Sequence, residues 1–255
     1  MRAGNACGHA WKAWSRWGLA VAMCGWSAGA VAGIYDTGST GIAQSLEIKS
    51  KFTYADSGGA RVRSQPKLSL SGRVADHLEW SVDTGYGVAE DNGGTTRGGM
   101  RNLSLAAKWR PLDQGAGSAF ALAVEPEVSL PTGRDVSGIG GGPATFELPL
   151  RVSRKLGTWK FTGQVGVEHA FGHDADTYDA GVLVEHAFAG HWSCGVEWFA
   201  DAPGRHPGRY HLRGNAGLKW DAKRHLEVAV LAGRSIENRR GNPVTTFRMM
   251  LEYHL

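Results

Sequence analysis

Apolar and polar residues alternate with a period of two along almost all of the chain after residue 42. In the stretch LEWSVDTGYGV, residues 78–88, Leu78 and Trp80 lie on one face of a strand, whereas Glu79 and Asp83 lie on the other. Such alternation is typical of β-strands with one apolar and one polar face. No segment after the first 32 residues approaches about 18 consecutive apolar residues, the minimum for a transmembrane helix. The pattern therefore predicts an all-β protein.

Twelve alternating segments are long enough to cross a bilayer as tilted strands, which need about 9–11 residues each. We expect strands near residues 43–56, 60–74, 78–89, 101–110, 118–130, 144–155, 158–171, 177–188, 191–201, 209–220, 225–236 and 244–255. Their connections alternate between short turns, as at 189–190, and mostly longer loops rich in glycine, proline and charge, as at 90–100. This alternation is typical of outer-membrane barrels, with short turns on the periplasmic side.

The aromatic residues indicate that the apolar faces point outward. All six tryptophans after residue 32 lie on the apolar faces, and all but Trp198 lie within a few residues of a short turn. They are Trp80, Trp109, Trp159, Trp192, Trp198 and Trp220. Other aromatic residues on these faces lie near the long loops, namely Tyr54, Tyr86, Phe146, Phe171, Tyr178, Tyr210 and Phe247. Two aromatic belts are expected where a barrel crosses the two membrane interfaces.

These features predict a 12-stranded antiparallel transmembrane β-barrel over residues 43–255, surrounded by outer-membrane lipid. The alternative is a secreted β-sandwich, but a soluble sheet protein has no reason to sort aromatic residues into two belts. Residues 33–42 are expected to form a short periplasmic segment, with a position inside the barrel as the second choice.

The first 32 residues resemble a secretory signal peptide. Positive charges end at Arg16, an apolar stretch covers residues 17–26, and small residues follow at Ala30–Ala32. A lipoprotein signal ending at Cys24 is the alternative, although Met23 stands where a small residue is needed. The remainder carries 25 Lys and Arg against 24 Asp and Glu, so its charge gives no reason to expect nucleic acid as a partner. Export to the bacterial outer membrane is expected.

The last strand supports this location. In FRMMLEYHL, residues 247–255, apolar side chains recur at every second position up to the final Leu255. The pattern resembles the C-terminal signal that the barrel-assembly machinery reads, which usually ends in Phe. That machinery is therefore an expected partner.

A glycine-rich stretch, SLPTGRDVSGIGGG, runs from Ser129 to Gly142 on the long-loop side. A phosphate-binding loop would lead into a helix, but the residues that follow alternate as a strand, so we expect a tightly folded external loop. The sequence EVSLPTGRDVSGIGGG, followed by ELPLRVSRKLGTWKFTGQVGV, resembles the outer-membrane β-barrel transporter family of the MetA pathway of phenol degradation. The resemblance covers about residues 118–170. It implies a barrel that passes small, aromatic or hydrophobic compounds, and it carries over no catalytic residues.

Metal and catalytic chemistry find no support in the sequence. The motif VEHAF occurs at 167–171 and 184–188, but His169 and His186 are expected to face lipid near opposite ends of their strands. Metal ligands must converge on one point. His186 and Ser193 flank one turn, but their side chains are expected on opposite faces of the sheet. They therefore cannot act together as a base and a nucleophile. We expect neither an enzyme, nor a metal, nor a cofactor.

Charged residues on the polar faces are the expected lining of the lumen. They are Glu79, Asp83, Glu125, Glu127, Glu147, Glu197, Asp201, Arg209, Arg213, Lys219, Glu227 and Arg248. Hairpin pairing is expected to place Asp201 opposite Arg209, Glu197 opposite Arg213 and Lys219 opposite Glu227.

The same faces predict a basic wall opposite an acidic wall. The basic wall would hold Lys49, Lys51, Arg63, Lys67, Arg73, Arg209, Arg213, Lys219 and Arg248. The acidic wall would hold Glu79, Asp83, Glu125, Glu127, Glu147, Glu168, Asp179 and Glu185. A transverse field across the lumen is expected, unless local ion pairs neutralise it.

Two prolines interrupt the predicted wall. Pro126 and Pro149 lie in neighbouring strands, with Pro126 expected opposite Leu148 and Pro149 opposite Glu125. Proline cannot donate a ladder hydrogen bond. An unpaired backbone group in hydrocarbon costs free energy on the order of several kcal/mol. The pair therefore indicates either two bulges hydrated from the lumen or a lateral gap through which an apolar solute leaves for the membrane.

Two functions follow for the whole barrel: passive uptake of small solutes, or a structural or interaction role with a sealed lumen.

Overall fold

The computed structural model describes residues 33–58, 60–90, 93–133, 139–172, 176–223 and 225–255, so the predicted signal peptide lies outside the described residues. The described residues form fourteen strands. These are β1 (Glu47–Asp56), β2 (Arg61–Ala75), β3 (Leu78–Glu90), β4 (Thr96–Met100), β5 (Leu103–Leu112), β6 (Ala121–Val124), β7 (Glu127–Leu130), β8 (Thr145–Leu156), β9 (Trp159–Ala170), β10 (Asp176–Phe188), β11 (Trp192–Pro203), β12 (His211–Lys223), β13 (Leu226–Asn238) and β14 (Thr245–His254).

The strands close into an antiparallel barrel. β1 pairs with β14 from Glu47 opposite His254 to Asp56 opposite Thr245, which joins the two ends of the sheet. β4 and β5 are two pieces of one wall strand, because both pair with β3. β6 and β7 are likewise two pieces of the next, because both pair with β5 and with β8. The described strands therefore build a closed barrel of twelve wall strands, which confirms the predicted fold class.

The period-two pattern separates an outer from an inner face. On the outer face Trp109 is 50% exposed and Val165 is 55% exposed, as expected for an apolar band that faces lipid. On the inner face of β3, Glu79, Ser81 and Asp83 are all buried. Alternate side chains of a strand point to opposite faces, so one pattern produces both the apolar exterior and the polar interior.

Aromatic residues gather at the short-turn end of the outer face. The rings of Trp192 and Trp220 stack with centroids 5.6 Å apart on β11 and β12. Trp159 stacks on His186 of the neighbouring strand at 4.2 Å. Cys194 is a free, exposed thiol on the same face as Trp192.

One short-side connection contains a single 3-10 turn, Gln114–Ala116. The Asp113 side chain caps it by accepting the Gly115 N–H, with the atoms 2.9 Å apart. Gly117 ends the turn with a φ of 96°, a left-handed conformation that favours glycine. None of the helical residues in the described ranges forms a helix long and apolar enough to cross a membrane.

Candidate functional site

Residues 33–43 lie inside the barrel, and we call this segment the lumen plug. The Ala43 N–H donates to Glu79 Oε2 at 2.7 Å, close to the short turn after β2. Deeper inside, the Gly38 N–H donates to Gln164 Oε1 at 2.8 Å, and the Thr37 N–H donates to Glu197. The plug therefore enters from the short-turn end and crosses the lumen. The expected periplasmic position of this segment is corrected, because its backbone donors need the acceptors that the inner face supplies.

The charged group of the plug is clasped by two arginines. Asp36 Oδ2 lies 2.7 Å from Arg213 Nε, and its Oδ1 lies 2.7 Å from Arg248 Nη2. The Asn215 side chain donates to Asp36 Oδ2 at 3.1 Å. Burial opposes ionisation of this carboxyl, but Arg213 and Arg248 hold the pKa of Asp36 well below its usual range. The plug is thus fixed by an ionised carboxylate.

An apolar pocket lies beside this ion pair on the inner wall. The buried plug residues Ile34 and Tyr35 cluster there with Leu183, Ala229, Leu231 and Met250. The inner wall is therefore not uniformly polar. Sequence reasoning missed the pocket because it considered only the charged residues of the inner faces. The uncharged inward positions of β10, β13 and β14 were the available signal.

Most predicted lumen charges lie inward and find local partners. Lys67 Nζ lies 3.3 Å from Asp83 Oδ2 on the next strand. Lys108 Nζ lies 3.4 Å from Glu79 Oε1 and 3.7 Å from Glu125 Oε2. Glu125 also forms a buried ion pair with Arg151. These pairs reduce the expected separation into one basic and one acidic wall.

Two lumen glutamates lack such cations. Glu127 on β7 and Glu147 on β8 lie directly opposite each other, and both side chains are buried. Neither forms an ion pair among the described residues, and Glu127 Oε2 has no hydrogen-bond partner there. Like charges in directly opposed positions destabilise a sheet. This pair of carboxyl groups is therefore not compensated by a cation at ion-pair distance within the described part of the chain.

The hairpin pairs of the lumen differ from expectation by two residues. Asp201 lies opposite His211, not Arg209, because β12 begins at His211 and Arg209 is exposed in the preceding loop. Arg209 is therefore not a lumen residue. Asp201 instead meets Arg240, with Nη1 and Oδ2 2.6 Å apart, and Arg213 at 3.1 Å.

The same shift affects the other two expected pairs. Glu197 lies opposite Asn215, and Lys219 lies opposite Ala229. Glu227 lies opposite Asp221, while Lys219 Nζ lies 3.0 Å from Glu185 Oε1. A shift of two residues changes every partner but leaves each side chain on its predicted face.

The two prolines lie where one wall strand is interrupted. Pro126 separates β6 from β7, and Pro149 lies within β8 opposite Gly166. The Pro126 carbonyl accepts the Ala107 N–H at 3.1 Å, and the Pro149 carbonyl accepts the Glu125 N–H at 3.2 Å. The backbone around both prolines therefore keeps hydrogen bonds to its neighbours, although neither ring nitrogen can donate.

The glycine-rich loop after β7 folds against the second interruption of the wall, at residues 101–102. Asn102 donates to the Gly141 carbonyl at 3.0 Å and accepts the Gly141 N–H at 2.8 Å. Gly133 and Gly140 approach the Met100 carbonyl so closely that a Cβ at either position would overlap it. The described part of the loop thus covers the edge of β4, which explains its glycine content without a nucleotide.

One group of titratable side chains has the spacing of a metal site, but an ammonium group already lies within it. Glu47, Glu252 and His254 bring their ligand atoms within 4.8 Å of one another. Lys49 Nζ lies 3.0 Å from Glu47 Oε2 and 3.3 Å from Glu252 Oε1. The lysine supplies the positive charge that a metal ion would otherwise bring.

A closed antiparallel barrel with an apolar aromatic exterior and a charged interior is an outer-membrane β-barrel protein. The chain belongs to the family described as the MetA-pathway of phenol degradation, whose model matches residues 52–251. The match reaches from the first to the last strand of the barrel, far beyond the segment that carries the resemblance in the sequence. No curated protein matches the chain.

Several solved outer-membrane structures share this fold. The COG4313 outer membrane channel from Pseudomonas putida F1 is similar with a TM-score of 0.64 and 12% identity, over 84% of this chain and 97% of that one. The KdgM porin in complex with disordered oligogalacturonate is similar with a TM-score of 0.57 and 12% identity, over 82% and 99%. The NanC porin is similar with a TM-score of 0.58 and 8% identity, over 82% and 100%. At these identities the likeness concerns the fold.

Proposed function

We propose that the protein is a bacterial outer-membrane channel for the passive uptake of small organic solutes, aromatic or hydrophobic ones among them. The observation that carries the proposal is the lumen plug, which is held in the interior by hydrogen bonds, ion pairs and one small apolar cluster, with no covalent link to the wall. Such contacts can be exchanged for contacts with water or solute. The family membership and the channel and porin folds of the solved relatives support the same function.

The competing function is a structural or interaction barrel whose lumen stays sealed. The contacts that hold the plug favour it, because Asp36 forms ion pairs with two arginines, while Glu79 and Glu197 accept hydrogen bonds from the plug backbone. The two functions differ in one respect that can be measured, namely whether the plug ever leaves the conducting path.

A reversible lock on the plug distinguishes these functions. A Cβ added at Gly181 on β10 would meet Thr37 Oγ1, and the Phe199 ring, 2.7 Å from that Cβ, would have to shift slightly to make room. Cysteines at positions 37 and 181 are therefore close enough to form a disulfide. The variant carries Thr37→Cys, Gly181→Cys and Cys194→Ser and begins at residue 33. Its single-channel currents in planar bilayers are recorded before and after reduction.

We expect currents from the reduced protein and their loss on oxidation, because the disulfide ties the plug to the wall. The control is Val124→Cys with Leu150→Cys in the same Cys194→Ser background. This pair is directly opposed on the lipid-facing side of β6 and β8, away from the plug. Closure of both proteins in every redox state, together with closure of wild type, would support the sealed barrel.

A further inference from the structure

The Asp36 carboxylate is held as a bound organic acid would be held. Each oxygen meets a different guanidinium group, those of Arg213 and Arg248, at 2.7 Å. Asn215 adds an amide donor at 3.1 Å. We call these three residues the carboxylate clamp. All three belong to β12 and β14, so the clamp is part of the wall and would remain if the plug moved.

The residue before Asp36 places an aromatic ring in an adjoining apolar pocket. Tyr35 is buried there with Leu183, Leu231 and Met250, and its ring lies against the backbone of β11 and β12. The Tyr35 hydroxyl is buried without a hydrogen-bond partner among the described residues. A buried hydroxyl that lacks a partner costs free energy. The pocket therefore suits a plain aromatic ring better than a phenol.

Withdrawal of the plug would leave the clamp with excess positive charge. Asp36 is the only charged residue of the plug sequence. Arg213 would keep Asp201, 3.1 Å away, but within the described residues Asp36 is the only carboxylate at ion-pair distance from Arg248. The Lys51 side chain also reaches the plug, since its Nζ donates to the Gly33 carbonyl at 3.3 Å. An uncompensated buried charge is destabilising, so an anion that replaced Asp36 would favour opening.

We infer that the lumen binds small aromatic or hydrophobic monocarboxylates at the position taken by Tyr35 and Asp36, and that such a solute displaces the plug. The inference rests on the proposed channel function and narrows its substrate class. A benzoate-like solute presents one ring and one carboxylate, which are the groups that Tyr35 and Asp36 present together. Benzyl alcohol has the ring without the carboxylate, and acetate has the carboxylate without the ring.

The test is a calorimetric titration of the refolded chain, from residue 33 to its end, in detergent. The three probes are sodium benzoate, benzyl alcohol and sodium acetate. We expect benzoate to bind at least about tenfold more tightly than either partial analogue, the size of effect expected for hydrogen bonds to a charged group. Asp36→Asn removes the internal competitor and should strengthen benzoate binding by about tenfold. Arg248→Gln removes one charged donor of the carboxylate clamp and should reduce the affinity for benzoate by about tenfold.

The matched control is Arg239→Gln, which changes an exposed arginine outside the lumen that pairs with Glu237. It should bind benzoate as wild type does. The temperature-dependent gel shift of folded barrels verifies folding of each variant. If Arg248→Gln does not fold, Arg213→Gln replaces it, and Asp36→Asn tests the inference independently of both.

Equal binding of benzoate and benzyl alcohol, or unchanged benzoate affinity in Asp36→Asn, would overturn the inference. Bilayer currents recorded on the same proteins separate this failure from failure of the channel itself. Currents without a benzoate preference would remove only the proposed substrate class. Benzoate binding without current in any variant would remove the channel function and retain the binding site.

Discussion

Gly195 and Gly217 lie directly opposite each other on β11 and β12, and the Tyr35 ring lies against the backbone of both. A Cβ at Gly195 would lie 2.5 Å from the Tyr35 hydroxyl oxygen, and one at Gly217 would lie 2.7 Å from it. Side chains do not tolerate such contacts, so the two glycines form the surface on which the plug rests.

Gly217→Val should therefore expel the Tyr35 ring and loosen the plug. We expect more frequent and longer openings in planar-bilayer recordings. The matched control is Gly163→Val, since no atom lies within 4 Å of a Cβ at Gly163. Identical currents from the two variants would mean that the plug does not control conduction.

The opposed glutamates of the lumen offer a test by stability. Glu127→Gln replaces one of two opposed, buried carboxyl groups that no cation of the described residues compensates, and we expect the free energy of unfolding to rise by up to about 1 kcal/mol. Asp83→Asn makes an equivalent change in a carboxylate that pairs with Lys67 at 3.3 Å. It should lower the free energy of unfolding by about 3 kcal/mol, because it leaves a buried cation alone. Urea unfolding in detergent measures both, and a loss of stability in Glu127→Gln would contradict the prediction.

The residual asymmetry of charge should appear in ion selectivity. Local ion pairs compensate many lumen charges. Glu127 and Glu147 nevertheless lie on one side of the lumen, on β7 and β8, whereas Arg213 and Arg248 lie on β12 and β14. In the Gly217→Val background, Arg213→Glu with Glu127→Lys exchanges charges between the two sides. We expect a shifted reversal potential under a KCl gradient. The shift should be smaller in 1 M than in 0.1 M salt, because the screening length is about 3 Å at 1 M and about 10 Å at 0.1 M. An unchanged reversal potential at low salt would exclude a transverse field.

The sequence predicted the facing of the lumen residues far better than their partners. Facing depends only on a period of two, which is visible in any strand. Partners depend on where each loop ends, and the loop before His211 is longer than the pattern indicated. Because the shift there is two residues, Glu197 and Arg213 keep their inward direction but not their pairing. Arg209 lies in this loop and not in β12, because the loop extends to the residue before His211.

The plug could not be predicted in detail, because its sequence has neither periodicity nor a motif. Residues 33–43, GIYDTGSTGIA, have the composition of a linker and contain one acidic residue. Its position depends on acceptors contributed by strands far away in the sequence, such as Gln164 and Glu197. The interruption of the wall at residues 101–102 was also missed, because β4 lies within the stretch expected as the loop 90–100, whereas Pro126 did indicate the interruption between β6 and β7.

The prolines provide the last prediction, which concerns the route by which a solute leaves the lumen. Pro126 and Pro149 could mark a lateral gap, but both carbonyls accept hydrogen bonds from adjacent wall strands at 3.1 and 3.2 Å. We therefore expect two bulges in a closed wall. Val124 and Leu150 lie directly opposite each other beside the prolines, so cysteines there, with Cys194→Ser, can staple this seam without disturbing the buried Glu125.

Oxidation of the Val124→Cys, Leu150→Cys staple should leave both ion conductance and benzoate uptake unchanged, because a closed wall has no gap to block. Uptake is measured with reconstituted vesicles, and the reduced protein is the control for each preparation. A selective loss of uptake with intact conductance would show that the solute leaves between the strands. The hydrogen bonds of the two proline carbonyls would then have to break during passage, and the lumen would serve only as the entrance to the membrane.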